Sequence, residues 1–211
     1  MIKMLKSGDH YITVDISIKT NSTLNIVIAH GAKNDMNYTL IKQLFELLRL
    51  KYSVIKFNFS YVDNNLKLDE KINKEEIETC IKFLGNKNIV LIGKSYGGFL
   101  STIIASENKF DIVKVIVLGY PLHEPNRPGN VYSQKHLKNN KLPVCFINGD
   151  SDENCNLDIF QHMLPNYEIE IIKNANHSFK PISKMTSIEQ NEKEVIDKIY
   201  IIIKNLNSVD K

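Results

Sequence analysis

The sequence predicts an α/β fold, in which a mainly parallel sheet is covered by helices on both faces. Apolar β-rich runs alternate with segments of helical periodicity from one end of the 211-residue chain to the other. This alternation is typical of parallel strands joined by crossover helices. With 43% hydrophobic residues, the chain is large enough for one well-buried core and small for two. We therefore expect a single domain over residues 1–211.

The first elements can be assigned in order. Residues 11–18 alternate apolar and polar side chains, which predicts an antiparallel edge strand with one face in water. Residues 24–29 form a continuous run of mostly apolar residues, which predicts a central strand. Apolar residues at helical spacing predict a helix over residues 38–50, and a strand follows at residues 53–59.

The alternation continues to the end of the chain. A helix is predicted over residues 69–84, and Gly85 ends it because glycine readily adopts the left-handed conformation of a helix C-cap. The further predicted strands are residues 88–92, 113–119, 143–148 and 167–172. The further predicted helices are residues 99–105, 157–163 and 187–206.

Composition excludes several classes of protein. The net charge of +3 is spread over scattered Lys and Glu residues without a basic run, so nucleic acid is not an expected partner. The N-terminus lacks the apolar core of a signal peptide, and no stretch approaches the roughly 18 apolar residues of a membrane span. We expect a soluble, cytoplasmic protein that makes no use of a membrane. The sequence gives no indication of the oligomeric state.

The three cysteines, Cys80, Cys145 and Cys155, are odd in number and show no C-x-x-C spacing. This argues against a disulfide framework and against a zinc site, and it predicts buried free thiols. No H-x-H or H-E-x-x-H motif occurs either. We therefore expect neither a metal nor another cofactor.

The most informative motif is Gly93-Lys94-Ser95-Tyr96-Gly97, between a predicted strand and a predicted helix. A serine at such a turn is held in a strained backbone conformation with its hydroxyl exposed above the sheet. Side chains at positions 93 and 97 would crowd the neighbouring strand and helix, whereas Lys94 and Tyr96 are expected to point away. Ser95 is therefore the predicted nucleophile.

Gly93-Lys94-Ser95 also resembles the end of a phosphate-binding P-loop. That loop needs a glycine at position 88, where this chain has Asn88, and the residues between are predicted strand. Nucleotide binding is therefore rejected.

A nucleophilic serine needs a base and a carboxylate that orients the base. In hydrolases with this kind of turn the chain order is serine, acid, histidine. His177 follows the predicted strand at residues 167–172, and Asp150 and Asp152 follow the one at 143–148. His177 is the predicted base. Asp152 is the preferred acid because it can reach an imidazole, and Asp150 is the alternative.

Two backbone N–H groups are predicted to stabilise an oxyanion. Tyr96 supplies one at the start of the new helix, and Ala32 supplies the other in the loop after the central strand. Gly31 permits the tight turn and a close approach of substrate. His30 is interpreted as structural, with its side chain hydrogen-bonded to the loop.

Residues 120–141 form the only long irregular stretch, and four Pro and Gly residues are expected to prevent regular structure in its first half. The stretch leaves the carboxyl end of a strand, where ligands bind in open α/β sheets. We expect it to border the site, with Tyr120 and His123 among the substrate-binding residues, and to be too short for a large helical lid. A shallow, open pocket follows. Arg127, Lys135 and His136 could favour an anionic acyl group.

These residues resemble the α/β-hydrolase superfamily over nearly the whole chain. They are most similar to a small lid-less branch that contains testis-expressed protein 30 and subunit 3 of the non-specific-lethal complex, and more distantly to dienelactone hydrolases. The segments that carry the resemblance include Ala29-His30-Gly31-Ala32, Gly93-Lys94-Ser95, Gly119-Tyr120-Pro121-Leu122-His123 and Asn176-His177-Ser178.

The resemblance implies that Ser95, Asp152 and His177 are the catalytic triad and that residues 120–128 belong to the surroundings of the site. Two positions depart from the related patterns. Dienelactone hydrolases carry a cysteine where Ser95 stands, and Tyr96 replaces the methionine expected in the closer branch. A bulky phenol at that position would narrow the pocket.

The sequence thus predicts a serine hydrolase that cleaves small esters or thioesters through an acyl-enzyme, with a small-molecule acyl compound as its substrate. The alternative is a scaffold that keeps the fold and binds a protein partner. An intact triad weighs against the scaffold. Peptidase activity is a weaker third hypothesis, because a lid-less pocket suits compact acyl groups better than a peptide chain.

Overall fold

A computed structural model of the protein describes residues 1–64, 66–138 and 143–207. Its strands are β1 (Ile2–Ser7), β2 (His10–Ser17), β3 (Asn25–Ala29), β4 (Ser53–Phe57), β5 (Ile89–Lys94), β6 (Ile112–Leu118), β7 (His123–Glu124), β8 (Arg127–Val131), β9 (Val144–Gly149) and β10 (Glu168–Ile172). Its helices are α1 (Thr39–Leu48), α2 (Ser60–Asp63), α3 (Glu70–Leu84), α4 (Tyr96–Ser106), α5 (Lys135–Lys138), α6 (Leu157–Met163) and α7 (Ile188–Leu206).

Eight strands form one sheet in the order β1-β2-β4-β3-β5-β6-β9-β10. The six strands from β4 to β10 in this order are parallel, and β1 and β2 are antiparallel additions at one side. Strand β3 lies inside the sheet and is buried, as its continuous apolar run predicted. The predicted α/β fold with a mainly parallel sheet is confirmed.

Helices cover both faces of the sheet because the buried strands present apolar side chains to each side alternately. Helices α3, α4 and α6 pack with Val27, Leu91 and Phe146 in one hydrophobic cluster. Helices α1 and α7 pack with Ile26 and Ile92 in a second cluster on the opposite face.

Local sequence signals explain both ends of α3 and the start of α7. The Asp69 side chain accepts a hydrogen bond from the N–H of Ile72 at the start of α3, and Gly85 ends that helix in the left-handed region with φ 101°. At α7, Ser187 and Gln190 form a reciprocal capping box. None of the helices in the described residues is long and apolar enough to cross a membrane.

Residues 11–17 lie in the antiparallel strand β2, as predicted, but the prediction that this strand forms the edge of the sheet is wrong. The edge is β1, which pairs with β2 in antiparallel register and which the sequence did not predict. The sequence pattern of β1 is weak because the strand has only one buried residue, Ser7, and its apolar residues Ile2 and Met4 are exposed.

Residues 120–138 are more regular than their prolines predicted. Strands β7 and β8 form an antiparallel hairpin, and α5 follows it. Pro128 is tolerated in β8 because this exposed strand has a single neighbour, so no second strand needs its missing N–H. The rest of the predicted segment, residues 139–141, lies outside the described residues. In the described part the insertion between β6 and β9 is thus a hairpin and one short helix, which agrees with the predicted lid-less fold.

Candidate active site

Ser95 lies between β5 and α4 with φ 51° and ψ −114°. A positive φ is costly for a residue with a side chain, so the surrounding structure must impose it. The tight contact between α4 and the sheet does so. A Cβ atom at Gly93 would lie 2.3 Å from the nitrogen of Gly98, and one at Gly97 would lie 2.6 Å from the carbonyl oxygen of His30. Glycine is therefore required at both positions, as predicted.

The structure brings Ser95, His177 and Asp152 together although they lie in three separate loops. Each residue follows the carboxyl end of a parallel strand, namely β5, β10 and β9 respectively. The Nε2 atom of His177 is 2.9 Å from the Ser95 hydroxyl, and its Nδ1 atom is 2.9 and 3.0 Å from the two Asp152 oxygens. An ionised carboxylate only accepts, so Nδ1 donates to Asp152 and Nε2 accepts the hydroxyl proton of Ser95.

The two candidate acids have different partners. The Asp152 side chain is fully buried and also accepts hydrogen bonds from the Asn154 N–H at 2.8 Å and from the Asn148 amide at 3.1 Å. Asp150 instead accepts from the Ala175 N–H at 3.2 Å and thereby links the loops after β9 and β10. Only Asp152 contacts His177.

Ala32 and Tyr96 each leave a backbone N–H without an acceptor in the part of the chain that the structure describes. Tyr96 is the first residue of α4, where the helix has no internal acceptor for its N–H. Both residues line one surface cleft together with Ser95. The two amides are therefore free to bind an oxyanion beside the serine.

His30 supports the Ala32 loop from inside the protein. It is fully buried, donates from Nδ1 to the Gly31 carbonyl at 2.8 Å, and accepts the Phe59 N–H at Nε2 at 3.1 Å. Burial lowers the pKa of His30 to about 4, which keeps the ring neutral at physiological pH. These bonds to the loop agree with the structural role predicted for His30.

Lys94 was predicted to point away from the neighbouring strand and helix, and this prediction is wrong. Its side chain is buried, and its ammonium donates to the carbonyl oxygen of His177 at 2.8 Å. Burial lowers the pKa of Lys94 to about 8, against the opposing effect of the nearby Asp152 and Glu153 carboxylates. Glu153 accepts the N–H of the same histidine at 3.0 Å. Neither contact could be predicted, because His177 is distant in sequence from Lys94 and reaches it only through the loop after β10.

Two surface clefts meet at Ser95. The first, which we call the apolar cleft, has a volume of about 450 Å³. The second, which we call the polar cleft, has a volume of about 500 Å³ and contains His177. The apolar cleft is lined by Ala32, Glu70, Ser95, Tyr96, Phe99, Pro121, Tyr132 and Ser133. The polar cleft is lined by Gly31, Ala32, Lys33, Asn34, Lys94, Ser95, Pro125, Asn126, Tyr132, Glu153, Asn154, His177 and Ser178.

The predicted substrate-binding residues are only partly at these clefts. Gly31 lines the polar cleft. Tyr120 is fully buried, packs against Phe146 and hydrogen-bonds to Gln134, so its ring belongs to the core. His123 is also buried and accepts the Asn156 N–H at 2.8 Å. The prediction that Tyr120 and His123 bind substrate is therefore corrected, because their polar side-chain atoms make hydrogen bonds inside the fold.

The cations expected to favour an anionic acyl group also lie elsewhere. Arg127 pairs with Glu124 on the exposed hairpin, and His136 hydrogen-bonds to Thr102. Lys135 is exposed, and none of Arg127, Lys135 and His136 lines either cleft. The structure gives this expectation no support.

Across residues 1–64, 66–138 and 143–207, no group of three or more His, Cys, Asp or Glu side chains could hold a metal ion. His177 is hydrogen-bonded to Asp152 through Nδ1 and to Ser95 through Nε2.

A family model described as an alpha/beta hydrolase domain matches residues 22–204 of the sequence. The chain belongs to the α/β-hydrolase family. The match covers every strand of the sheet except β1 and β2 and includes Ser95, Asp152 and His177. No curated protein sequence matches this α/β hydrolase.

Solved structures share its fold at low sequence identity. A protein of unknown function from Agrobacterium tumefaciens superposes with a TM-score of 0.78 at 13% identity, covering 97% of both chains. An α/β serine hydrolase homologue from Coxiella burnetii gives a TM-score of 0.73 at 16% identity, covering 98% of this chain and 97% of the other. An esterase from Pyrococcus furiosus gives a TM-score of 0.74 at 16% identity, covering 97% of this chain and 91% of the other. The predicted α/β-hydrolase fold is confirmed.

Proposed function

We propose that this α/β hydrolase is a serine hydrolase that cleaves small esters or thioesters through an acyl-enzyme intermediate. The observation that carries the proposal is the unbroken hydrogen-bond chain from the Ser95 hydroxyl through His177 to the buried Asp152 carboxylate. An exposed serine hydroxyl is a weak nucleophile on its own, and a base at 2.9 Å makes it reactive.

The proposed reaction has two stages. Ser95 attacks the acyl carbon while His177 takes its proton, and the N–H groups of Ala32 and Tyr96 stabilise the tetrahedral oxyanion. His177 then gives the proton to the leaving oxygen or sulfur, which departs and leaves the acyl group on Ser95. Water, deprotonated by the same histidine, hydrolyses the acyl-enzyme and restores the serine.

Asp152 is proposed to act through His177. Its carboxylate holds Nδ1 protonated, which leaves Nε2 as the base, and it stabilises the imidazolium formed in each stage. The hydrogen bonds from Asn148 and Asn154 stabilise the negative charge of the Asp152 carboxylate. A scaffold that only binds a protein partner would have no physical need for this arrangement.

The test uses a fluorophosphonate probe and hydrolysis of p-nitrophenyl butyrate. Wild-type protein is expected to be labelled and to hydrolyse the ester, and Ser95→Ala to do neither. Asp152→Asn should reduce kcat by a factor of about 10⁴, because the wrong tautomer of His177 is then favoured.

Asp150→Asn is the matched control for Asp152→Asn. It changes a carboxylate in the same loop that does not contact His177, and it should keep kcat within about tenfold of the wild type. A folded wild-type protein that is neither labelled nor active on any short ester would refute the proposal.

A further inference from the structure

The two clefts differ in chemistry and in their distance from the base. They share Ala32, Ser95 and Tyr132, so a substrate bound at Ser95 extends into both. His177 lines the polar cleft and is not part of the apolar one. This inference rests on the proposed function, because it concerns the substrate of the same serine.

The position of His177 decides which half of an ester each cleft receives. The protonated Nε2 must come within hydrogen-bond distance of the leaving oxygen when the acyl bond breaks. The leaving group must therefore lie on the His177 side, in the polar cleft. The acyl group is then directed to the other side of Ser95, into the apolar cleft.

The apolar cleft suits a neutral, apolar acyl group. Tyr96, Phe99, Pro121 and Tyr132 supply rings to its wall. Its charged lining residue is Glu70, which is exposed in the first turn of α3, and the cleft has no lining cation. A carboxylate at the far end of an acyl chain would be repelled by Glu70 and would gain no ion pair.

The polar cleft suits a leaving group rich in hydroxyl groups. Among the described residues, the side-chain amides of Asn34, Asn126 and Asn154 line it and have no hydrogen-bond partner. Of its lining Lys and Glu residues, Lys94 and Glu153 already hold the backbone of His177, and Lys33 is exposed to solvent, where a cation is well hydrated. Carboxamides both donate and accept, so three free ones around a cleft match hydroxyl groups, which do the same.

We propose that the substrates are esters of a neutral aliphatic acid with a neutral polyhydroxy alcohol, the acyl chain lying in the apolar cleft and the alcohol in the polar cleft. Glycerol and sugar esters are members of this class. The preference for these esters over other esters should appear in kcat/KM, which reports binding in the transition state.

Three substrate comparisons test the two halves separately. Glyceryl monobutyrate should be hydrolysed with a kcat/KM at least tenfold above that of butyl butyrate, which has the same acyl group. Along a glyceryl ester series from acetate to hexanoate, kcat/KM should rise by up to about fourfold per methylene group. Methyl hexanoate should exceed monomethyl adipate in kcat/KM by about tenfold, the effect of like charges about 12 Å apart at the effective dielectric constant of about 20 near a protein surface.

Variants connect these preferences to the clefts. Glu70→Gln should reduce the preference for methyl hexanoate over monomethyl adipate to about threefold or less. Glu189→Gln is its matched control, since Glu189 is also in the first turn of a helix but lines neither cleft. Asn34→Ala combined with Asn154→Ala should remove most of the preference for glyceryl monobutyrate over butyl butyrate, measured as the ratio of the two kcat/KM values.

The outcomes separate this inference from the proposed function. Fluorophosphonate labelling of Ser95 with the stated preferences supports both. Labelling and hydrolysis without a preference for the polyhydroxy ester, or with a preference for the anionic acyl group, overturns the substrate class and leaves the serine hydrolase intact. A folded protein with neither labelling nor hydrolysis of any of these esters overturns both.

Discussion

At the scale of single residues, the backbone of His177 is held from both sides. Lys94 binds its carbonyl oxygen at 2.8 Å and Glu153 binds its N–H at 3.0 Å. The base of a proposed triad must be positioned within a fraction of an ångström, since a misplacement of about 1 Å can cost a factor of ~10² in rate. Lys94 is therefore interpreted as a positioning residue that acts through His177.

Lys94→Met should lower kcat of ester hydrolysis by about 10–100-fold and change KM by less than about threefold, because the variant keeps the clefts but releases the His177 carbonyl. Stopped-assay kinetics on p-nitrophenyl butyrate would measure this, with circular dichroism as the check on folding. Lys42→Met, at an exposed position of α1, is the control. Unchanged kcat in a folded Lys94→Met protein would show that the contact has no role.

His30 predicts a pH dependence of folding stability. Its pKa is lowered to about 4 by burial, against 6.5 in the unfolded chain. Between these values the unfolded state binds more protons, so the free energy of unfolding falls as the pH drops from 7 to 5, by about 2 kcal/mol from this group. Other groups titrate in the same range, so a variant must isolate the effect.

His30→Asn keeps a donor toward the Gly31 carbonyl and does not titrate. Urea unfolding at pH 7 and pH 5 should therefore show a loss about 2 kcal/mol larger in wild-type protein than in the variant. Equal losses in the two proteins would contradict the assignment.

At the scale of elements, the serine turn and the C-terminal end of α3 both require glycine, but for different physical reasons. Gly93 and Gly97 are required by contact distance, whereas Gly85 at the end of α3 has open space around its Cβ position and φ 101°. For Gly85 the backbone conformation alone is decisive.

Gly85→Ala should lower the free energy of unfolding by about 1–2 kcal/mol, the cost of a Cβ atom in the left-handed region. Gly129→Ala is the matched control, because a Cβ there also meets nothing within 4 Å and its φ is not positive. Chemical denaturation of both variants should show that loss for position 85 and a change within about 0.5 kcal/mol for position 129. Similar values for both would argue against the left-handed cap.

At the scale of the whole molecule, the cysteines report on how the core opens. Cys80, Cys145 and Cys155 are free and buried, as predicted, and burial raises the pKa of each thiol. Cys80 and Cys155 belong to the hydrophobic cluster on one face of the sheet, and Cys145 belongs to the cluster on the other. A reagent that needs the thiolate can reach them only when the packing opens.

Native protein at pH 8 should therefore react with less than one equivalent of dithionitrobenzoate over minutes, and protein in guanidinium chloride should react with all three cysteines of the chain. Rapid reaction of a thiol in the folded protein would show local opening of one cluster. Substituting each cysteine by alanine in turn would then identify the face that opens.

The sequence by itself determined the fold class, most of the elements and the three residues at the carboxyl ends of β5, β9 and β10. Apolar periodicity and glycine at a turn are local consequences of burial and backbone sterics, so they can be read without knowing the neighbours. Edge strand β1 and the hairpin at residues 123–131 were missed because exposed strands carry little apolar pattern.

Only the tertiary structure decided where side chains without periodicity point. It directed Lys94 inward to His177, put Tyr120 into the core and His123 onto the Asn156 N–H, and left the Asn34 and Asn154 amides free at a cleft. The physical reason is that a side chain in a loop or at the end of a strand takes its direction from partners distant in sequence. Its bonds exist only after the strands have aligned.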